Sequence, residues 1–186
     1  MVSQTEVLLG KVIEILHEVT PRTRRIAILL NESNPSHPVF WTVAQSTCAA
    51  LGLVALRVVA SAPTQLGAAV EQIVRQQSEA VVVVADSLYL TERAKLQELM
   101  QTTRLPVAYQ RRDHVVAGGL FCYSPNLAAD WRYAAQDVDK ILKGADPGDL
   151  PVDQPAKFVL VINMKAAKAL GLTFPQSVLL RADEFD

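Results

Sequence analysis

Side chains able to do chemistry gather in a few short stretches of this 186-residue sequence. Asn31-Glu32-Ser33-Asn34-Pro35-Ser36-His37 precedes a helix, whose free amides and dipole favour a carboxylate. The same Asn and Ser residues serve turns and caps just as well. Asp86, followed by Ser87 and Tyr89, either receives an ammonium group or caps the next helix. Tyr109-Gln110-Arg111-Arg112 brings a phenol, an amide and two guanidiniums, which clamp a carboxylate or stand in solvent. Phe121 and Tyr123, with Tyr89 and Tyr109, offer apolar walls, the tyrosines with polar tips; each is also a good core residue. These types suit recognition better than bond-making.

The patterns that bond-making needs are missing. No G-x-G-x-x-G or G-x-x-x-x-G-K run cradles a phosphate, and no G-x-S-x-G elbow presents a nucleophile. His17, His37 and His114 have no metal-ligand spacing with one another or with Cys48 and Cys122. The sequence therefore encodes no cofactor, no metal and no catalytic residue that can be named. Both cysteines sit in apolar settings and read as buried thiols. His17 reads as helix surface and His114 as loop surface. A phosphorylated receiver domain would need an acidic pair after its first strand and a lysine after its fifth. Here those positions carry Leu30-Asn31 and Cys122-Tyr123-Ser124.

The elements that must position these groups follow a regular alternation. Ser3 and Glu6 have capping-box spacing, and Leu8, Val12, Ile15 and Val19 then recur at helical intervals up to Pro21. Arg25–Asn31 is a nearly continuous apolar run, as in a strand covered on both faces. Phe40, Val43, Ala44, Cys48 and Leu51 form a helix face that Gly52 ends. Leu53–Ala60 reads as a strand, and a helix from Pro63 to Gln77 turns Leu66, Val70, Ile73 and Val74 inward. Ala80–Ala85 is a strand closed by Asp86, and one helix covers Tyr89 to Thr103, using Ala94, Leu96, Leu99 and Met100. Leu105–Tyr109, a helical turn before Gly118-Gly119, and Leu120–Tyr123 continue the series. Asn126 caps a long helix to Leu142 bearing Leu127, Trp131, Ala134, Val138, Ile141 and Leu142. A Pro/Gly/Asp connector over 144–156 leads to strand Phe158–Ile162, then to Asn163 capping a short helix.

Strands alternating with helices imply right-handed βαβ units, hence an α/β fold with a doubly wound, mostly parallel sheet in three layers. In such a sheet ligands bind beyond the carboxyl ends of the strands. That edge gathers Asn31–His37, Ser61, Asp86–Tyr89, Tyr109–Arg112 and Phe121–Ser124. Composition agrees with a folded domain. Half the residues are hydrophobic, and 18 basic residues oppose 19 acidic ones. A core of this size is affordable for one domain, and near-neutrality argues against a nucleic-acid partner. No stretch is apolar and long enough to insert in a membrane.

A string of motifs, in order, resembles the ABC-transporter substrate-binding family. It comprises Gly118-Gly119-Leu120 through Tyr123-Ser124-Pro125-Asn126-Leu127, then Val138-Asp139-Lys140-Ile141-Leu142-Lys143-Gly144, then Leu150-Pro151-Val152 with Gln154-Pro155. Lys157–Asn163, Lys165-Ala166-Ala167-Lys168-Ala169-Leu170-Gly171-Leu172 and Arg181-Ala182-Asp183-Glu184 complete it. With Leu9–Pro21, Asn31–Asn34 and Leu105–Pro106 the resemblance runs along nearly the whole chain. It implies one lobe of a type I periplasmic-binding-protein-like fold, in the branch that binds aromatic and other amino acids. Members close two α/β lobes over a ligand, after a signal or lipoprotein peptide, and serve an ABC permease outside the cytoplasm.

This chain resembles the C-terminal half. The resemblance then implies that 1–125 and 156–186 form the second lobe, and that 126–155 belongs to the first. By position, Asn31, Ser33, Asn34, Ser36 and His37, with Asp86, Ser87, Gln110, Arg111 and Tyr123, are implied ligand contacts for a small molecule such as an amino acid. Without a first lobe, Leu127–Leu142 is expected to be covered by a second copy, giving a homodimer. The alternative reading is a cytoplasmic sensory module that reuses the lobe, since the sequence as written carries no export signal.

Overall fold

A computed structural model of the chain describes residues 4–150 and 158–186. The Ser3–Glu6 capping box and the end of the 144–156 connector thus reach outside the described residues. Helix α1 spans Gln4–Val19 and strand β1 Arg25–Leu30; α2 (His37–Ala50) and β2 (Val54–Val59) follow. A 3-10 turn at Pro63–Gln65 feeds α3 (Leu66–Arg75), then β3 (Ala80–Val83), α4 (Ser87–Thr91) and α5 (Arg93–Thr103). Next come β4 (Val107–Tyr109), α6 (Arg112–Val116), β5 (Phe121–Pro125) and α7 (Leu127–Leu142). The chain ends with β6 (Phe158–Ile162), α8 (Met164–Ala169), α9 (Gln176–Leu179) and β7 (Glu184–Phe185).

The strands form one sheet in the order β2-β1-β3-β4-β5-β6-β7. Every pairing is parallel except β5 with β6, where the chain comes back antiparallel after α7. Alternate strand residues feed two separate cores, as the period of two requires. Ile26, Ile28 and Leu30 pack under α1 and α2 with Phe40, Ala44 and Cys48. Ala27 and Leu29 pack on the other face with Leu66, Ile73, Leu96 and Met100. The sheet is thus covered on both sides, which is why its strands read as continuous apolar runs. Burial holds both thiols up at about 11, and both cysteines are free.

Several local expectations change. The helix read over Tyr89–Thr103 is two helices, because Asp86 accepts a hydrogen bond from the Leu88 N–H at 2.9 Å and starts a turn that breaks at Glu92. Val74 is exposed, since α3 turns only Leu66, Ala69, Val70 and Ile73 inward. Ala94 likewise faces solvent. The C-terminal α9 and β7 were not expected from the sequence, being only four and two residues long. The two Asn caps are formed: Asn126 Oδ1 accepts from Ala129 N–H at 3.1 Å, and Asn163 Oδ1 from Ala166 N–H at 2.8 Å.

Candidate functional site

The strand order reverses between β1 and β3, so the crevice beyond their carboxyl ends is where a doubly wound sheet opens. The polar residues expected there do converge, but upon one another. Asp86 Oδ1 accepts from Asn31 Nδ2 at 3.1 Å, and Oδ2 from Asn34 Nδ2 at 2.8 Å. His37 Nδ1 accepts the Asn31 backbone N–H at 2.7 Å, which leaves the ring proton on Nε2, 3.4 Å from Asp86 Oδ2. Asn31 and Asn34 also use their side-chain oxygens to accept the N–H groups of Ser33 and Ser36, both at 3.0 Å. The loop is in this way pinned before α2 begins.

Electrostatics follows from that wiring. Burial alone would raise the Asp86 carboxyl, but the bonds from Asn34, Asn31 and Leu88, with His37 beside it, hold it below its ordinary value. Burial lowers His37, against the opposing pull of Asp86 and the Ala85 carbonyl. A neutral imidazole also fits its contacts, since protonated Nδ1 would meet the Asn31 N–H head on. Asp86 is therefore an ionised clamp whose oxygens are engaged within the chain. Ser33, Ser36 and Ser87 stay exposed at its rim.

A second region of the same edge is open. A groove of about 670 Å³ runs beside the ends of β4 and β5, between α6, α7 and β7. Ala85, Gln110, Arg111 and Ser124 line it, joined by Arg93, Arg112, Val159 and Glu184. Gln110 is only 3% exposed; its Oε1 accepts the Ala85 N–H at 2.9 Å, while its Nε2 has no hydrogen-bond partner among the described residues. Arg111 reaches Asp113 Oδ2 at 3.1 Å, and Arg112 pairs with both oxygens of Glu184. Ser124 is buried, its Oγ 4.0 Å from Cys122 Sγ.

The aromatic residues divide differently from their sequence positions. Tyr89, Tyr109 and Phe121 are fully buried and belong to the core instead of an open edge. The Tyr89 hydroxyl donates to the Ala60 carbonyl at 2.9 Å, and that of Tyr109 to Gln97 Oε1 at 2.8 Å. Phe121 meets Phe174 edge-on at 6.1 Å. Tyr123 is half-buried, 5.9 Å from the Phe158 ring. His114 is not surface either: it is 3% exposed and stacks on Tyr109 at 4.6 Å. His17 is partly exposed along α1.

Arg93, Val159 and Glu184 were not among the expected ligand contacts, although Val159 and Glu184 lie in stretches that carry the family resemblance. They reach the groove only because α5 starts afresh after α4 and because β6 and β7 extend the sheet. Ser124 did carry a signal, its place at a strand end. Among the described residues no group of His, Cys, Asp and Glu side chains is arranged to hold a metal. Among the same residues no helix is long and apolar enough to cross a membrane.

Comparison with known proteins fits this geometry. The sequence model of the family described as "ABC transporter substrate binding protein" matches residues 2–186. No curated protein matches the chain. Among solved structures, a conserved domain protein from Vibrio cholerae O1 biovar El Tor is similar over 96% of this chain and 60% of its own, with a TM-score of 0.83 and 22% identity. An ABC domain from Streptococcus pneumonia in complex with L-Trp is equally similar, at TM-score 0.83 and 22% identity, over 96% of this chain and 62% of that one. A substrate-binding protein with adhesive properties from Clostridium difficile, ligand-free and open, gives 0.71 at 19% identity, over 94% and 58%. At these identities the likeness establishes the fold. The chain spans about three fifths of the length of these neighbours.

Proposed function

The chain belongs to the ABC transporter substrate-binding protein family, and we propose that it forms one wall of the cleft in which a solute is held for an ABC permease. The observation that carries this reading is the open groove at the carboxyl edge of the sheet, of about 670 Å³. Its size suits a small molecule such as an amino acid. It lies where open α/β sheets take their ligands. The L-Trp held by the Streptococcus neighbour makes that amino acid the natural first probe. In this reading the protein binds and releases its ligand, no catalytic step is assigned, and it works outside the cytoplasm.

Within the reading, Gln110, Arg111 and Tyr123 contact the ligand, while Asn31–His37 with Asp86 and Ser87 form the adjoining rim. In this reading residues 1–125 and 156–186 make up the second lobe, and 126–155 belong to the first. The support for the last point is the bare face of α7, together with the greater length of the neighbours.

The test is an amide-resolved NMR titration with L-tryptophan and a panel of other amino acids. Shifts are expected at Ala85, Gln110, Arg111 and Ser124. Shifts gathered at the opposite edge of the sheet, around Leu105 and Gly118, would remove the proposal.

A further inference from the structure

The groove is one-sided in its hydrogen-bonding demand. Its two carboxylates are engaged within the chain, Asp113 by Arg111 and Glu184 by Arg112. Asp86, adjoining the groove at Ala85, already accepts from Asn31, Asn34 and Leu88. Each acidic group there already has a guanidinium or a set of hydrogen-bond donors of its own within the chain. On the donor side the account does not close. Gln110 is nine-tenths buried and more, yet its Nε2 has no acceptor among the described residues. The amide cannot hide this by flipping, because the Ala85 N–H at 2.9 Å requires an oxygen opposite it. Arg93, on the same wall, gives one nitrogen to the Leu90 carbonyl at 3.0 Å and forms no ion pair among the described residues.

A buried donor without an acceptor is unfavourable until something supplies one. A planar anion does so best, because it satisfies the amide and neutralises the guanidinium together. Resting on the binding role proposed above, we infer that this lobe seats the carboxylate end of the ligand, with Gln110 Nε2 as donor and Arg93 as counter-charge, and offers no seat for an ammonium. Amino acids and simple organic acids then share one anchor on this wall. Amines of the same shape do not use it.

The 186-residue chain is titrated by NMR with sodium acetate, methylammonium chloride and sodium chloride at matched ionic strength. Acetate is expected to shift the Gln110 side-chain amide pair saturably, while methylammonium and chloride leave it in place. Indole-3-acetate is expected to act as acetate does, and tryptamine to fail. Gln110→Glu keeps an oxygen for the Ala85 N–H but removes the donor, so acetate affinity should fall at least about tenfold. Arg93→Gln changes only an exposed side chain and should weaken acetate about threefold without altering the fold. The inference is overturned if chloride reproduces the acetate shift, if tryptamine binds as well as indole-3-acetate, or if neither substitution matters. L-tryptophan shifting Ala85 and Ser124 while sparing Gln110 would leave the binding role standing and the carboxylate seat refuted. No response along this edge to acetate or L-tryptophan would refute both.

Discussion

Asp86 receives three hydrogen bonds and the edge of an imidazole on two oxygens. Either role allowed by its strand-end position, ammonium receptor or helix cap, was open from the sequence. The cap is formed, and the remaining capacity goes to the Asn31–His37 loop. His114 shows a residue whose surroundings could not be read locally, since a short polar turn before a Gly pair gives no sign of burial. Burial lowers its pKa to about 4, against an opposing pull from Asp113, with Arg111 and Arg93 adding to the fall. The unfolded chain therefore takes up a proton near the ordinary value of 6.5 that the folded one refuses. Stability from this group is complete above about pH 6.5 and declines as pH falls towards 4, by on the order of 3 kcal/mol. His37 is lowered as well, so it acts in the same direction. Urea denaturation across that range should show the slope in the native chain and a shallower one in His114→Phe, which keeps a ring against Tyr109. Equal slopes in the two proteins would count against the assignment.

At the scale of elements, apolar continuity and caps were the legible signals. β1 and β3 read correctly because both faces of each are covered, and the caps at Asn126 and Asn163 because a side-chain oxygen one residue before a helix has an immediate partner. What stayed hidden were elements held by others: α9 and β7 carry too few residues for any period to register. Helix α7 is the opposite case, a clear pattern with no local use. Leu127, Trp131, Ala134, Val138 and Ile141 repeat at four and three residues, the spacing of a helix-packing seam. Trp131 is nevertheless 74% exposed and Val138 54%. Because nothing in the described chain covers them, replacing both Trp131 and Val138 by Ser should change unfolding free energy by less than about 0.5 kcal/mol. The same double change should reduce any self-association seen by sedimentation. A large loss of stability in dilute monomer would mean that α7 folds back upon its own sheet.

For the whole molecule, clamp-type binding draws its affinity from closing two walls over the ligand. On the reading proposed above the chain supplies one wall, which by itself makes few contacts against the full loss of ligand freedom. Free amino acids at millimolar concentration should accordingly leave the melting temperature almost unmoved. Even at a ligand concentration equal to Kd the gain is only about 0.4 kcal/mol, or roughly 1 °C for a chain of this size. Differential scanning fluorimetry with L-tryptophan checks this. A saturable rise of several degrees would show that the groove binds tightly without a second wall.

The sequence by itself determined the α/β class, the parallel core strands, the polar carboxyl edge of the sheet and the family, because period, caps and motif order are properties of neighbouring residues. It also placed Asn31, Asp86 and Gln110 on one edge, since each lies just past the end of a strand. Only the tertiary structure decided that Asp86 is engaged internally, that Tyr89, Tyr109 and Phe121 are core, and that Gln110 is left with a donor to spare. Those outcomes depend on side chains dozens of residues apart meeting at a common edge, and no local pattern encodes which partner a polar group will find there.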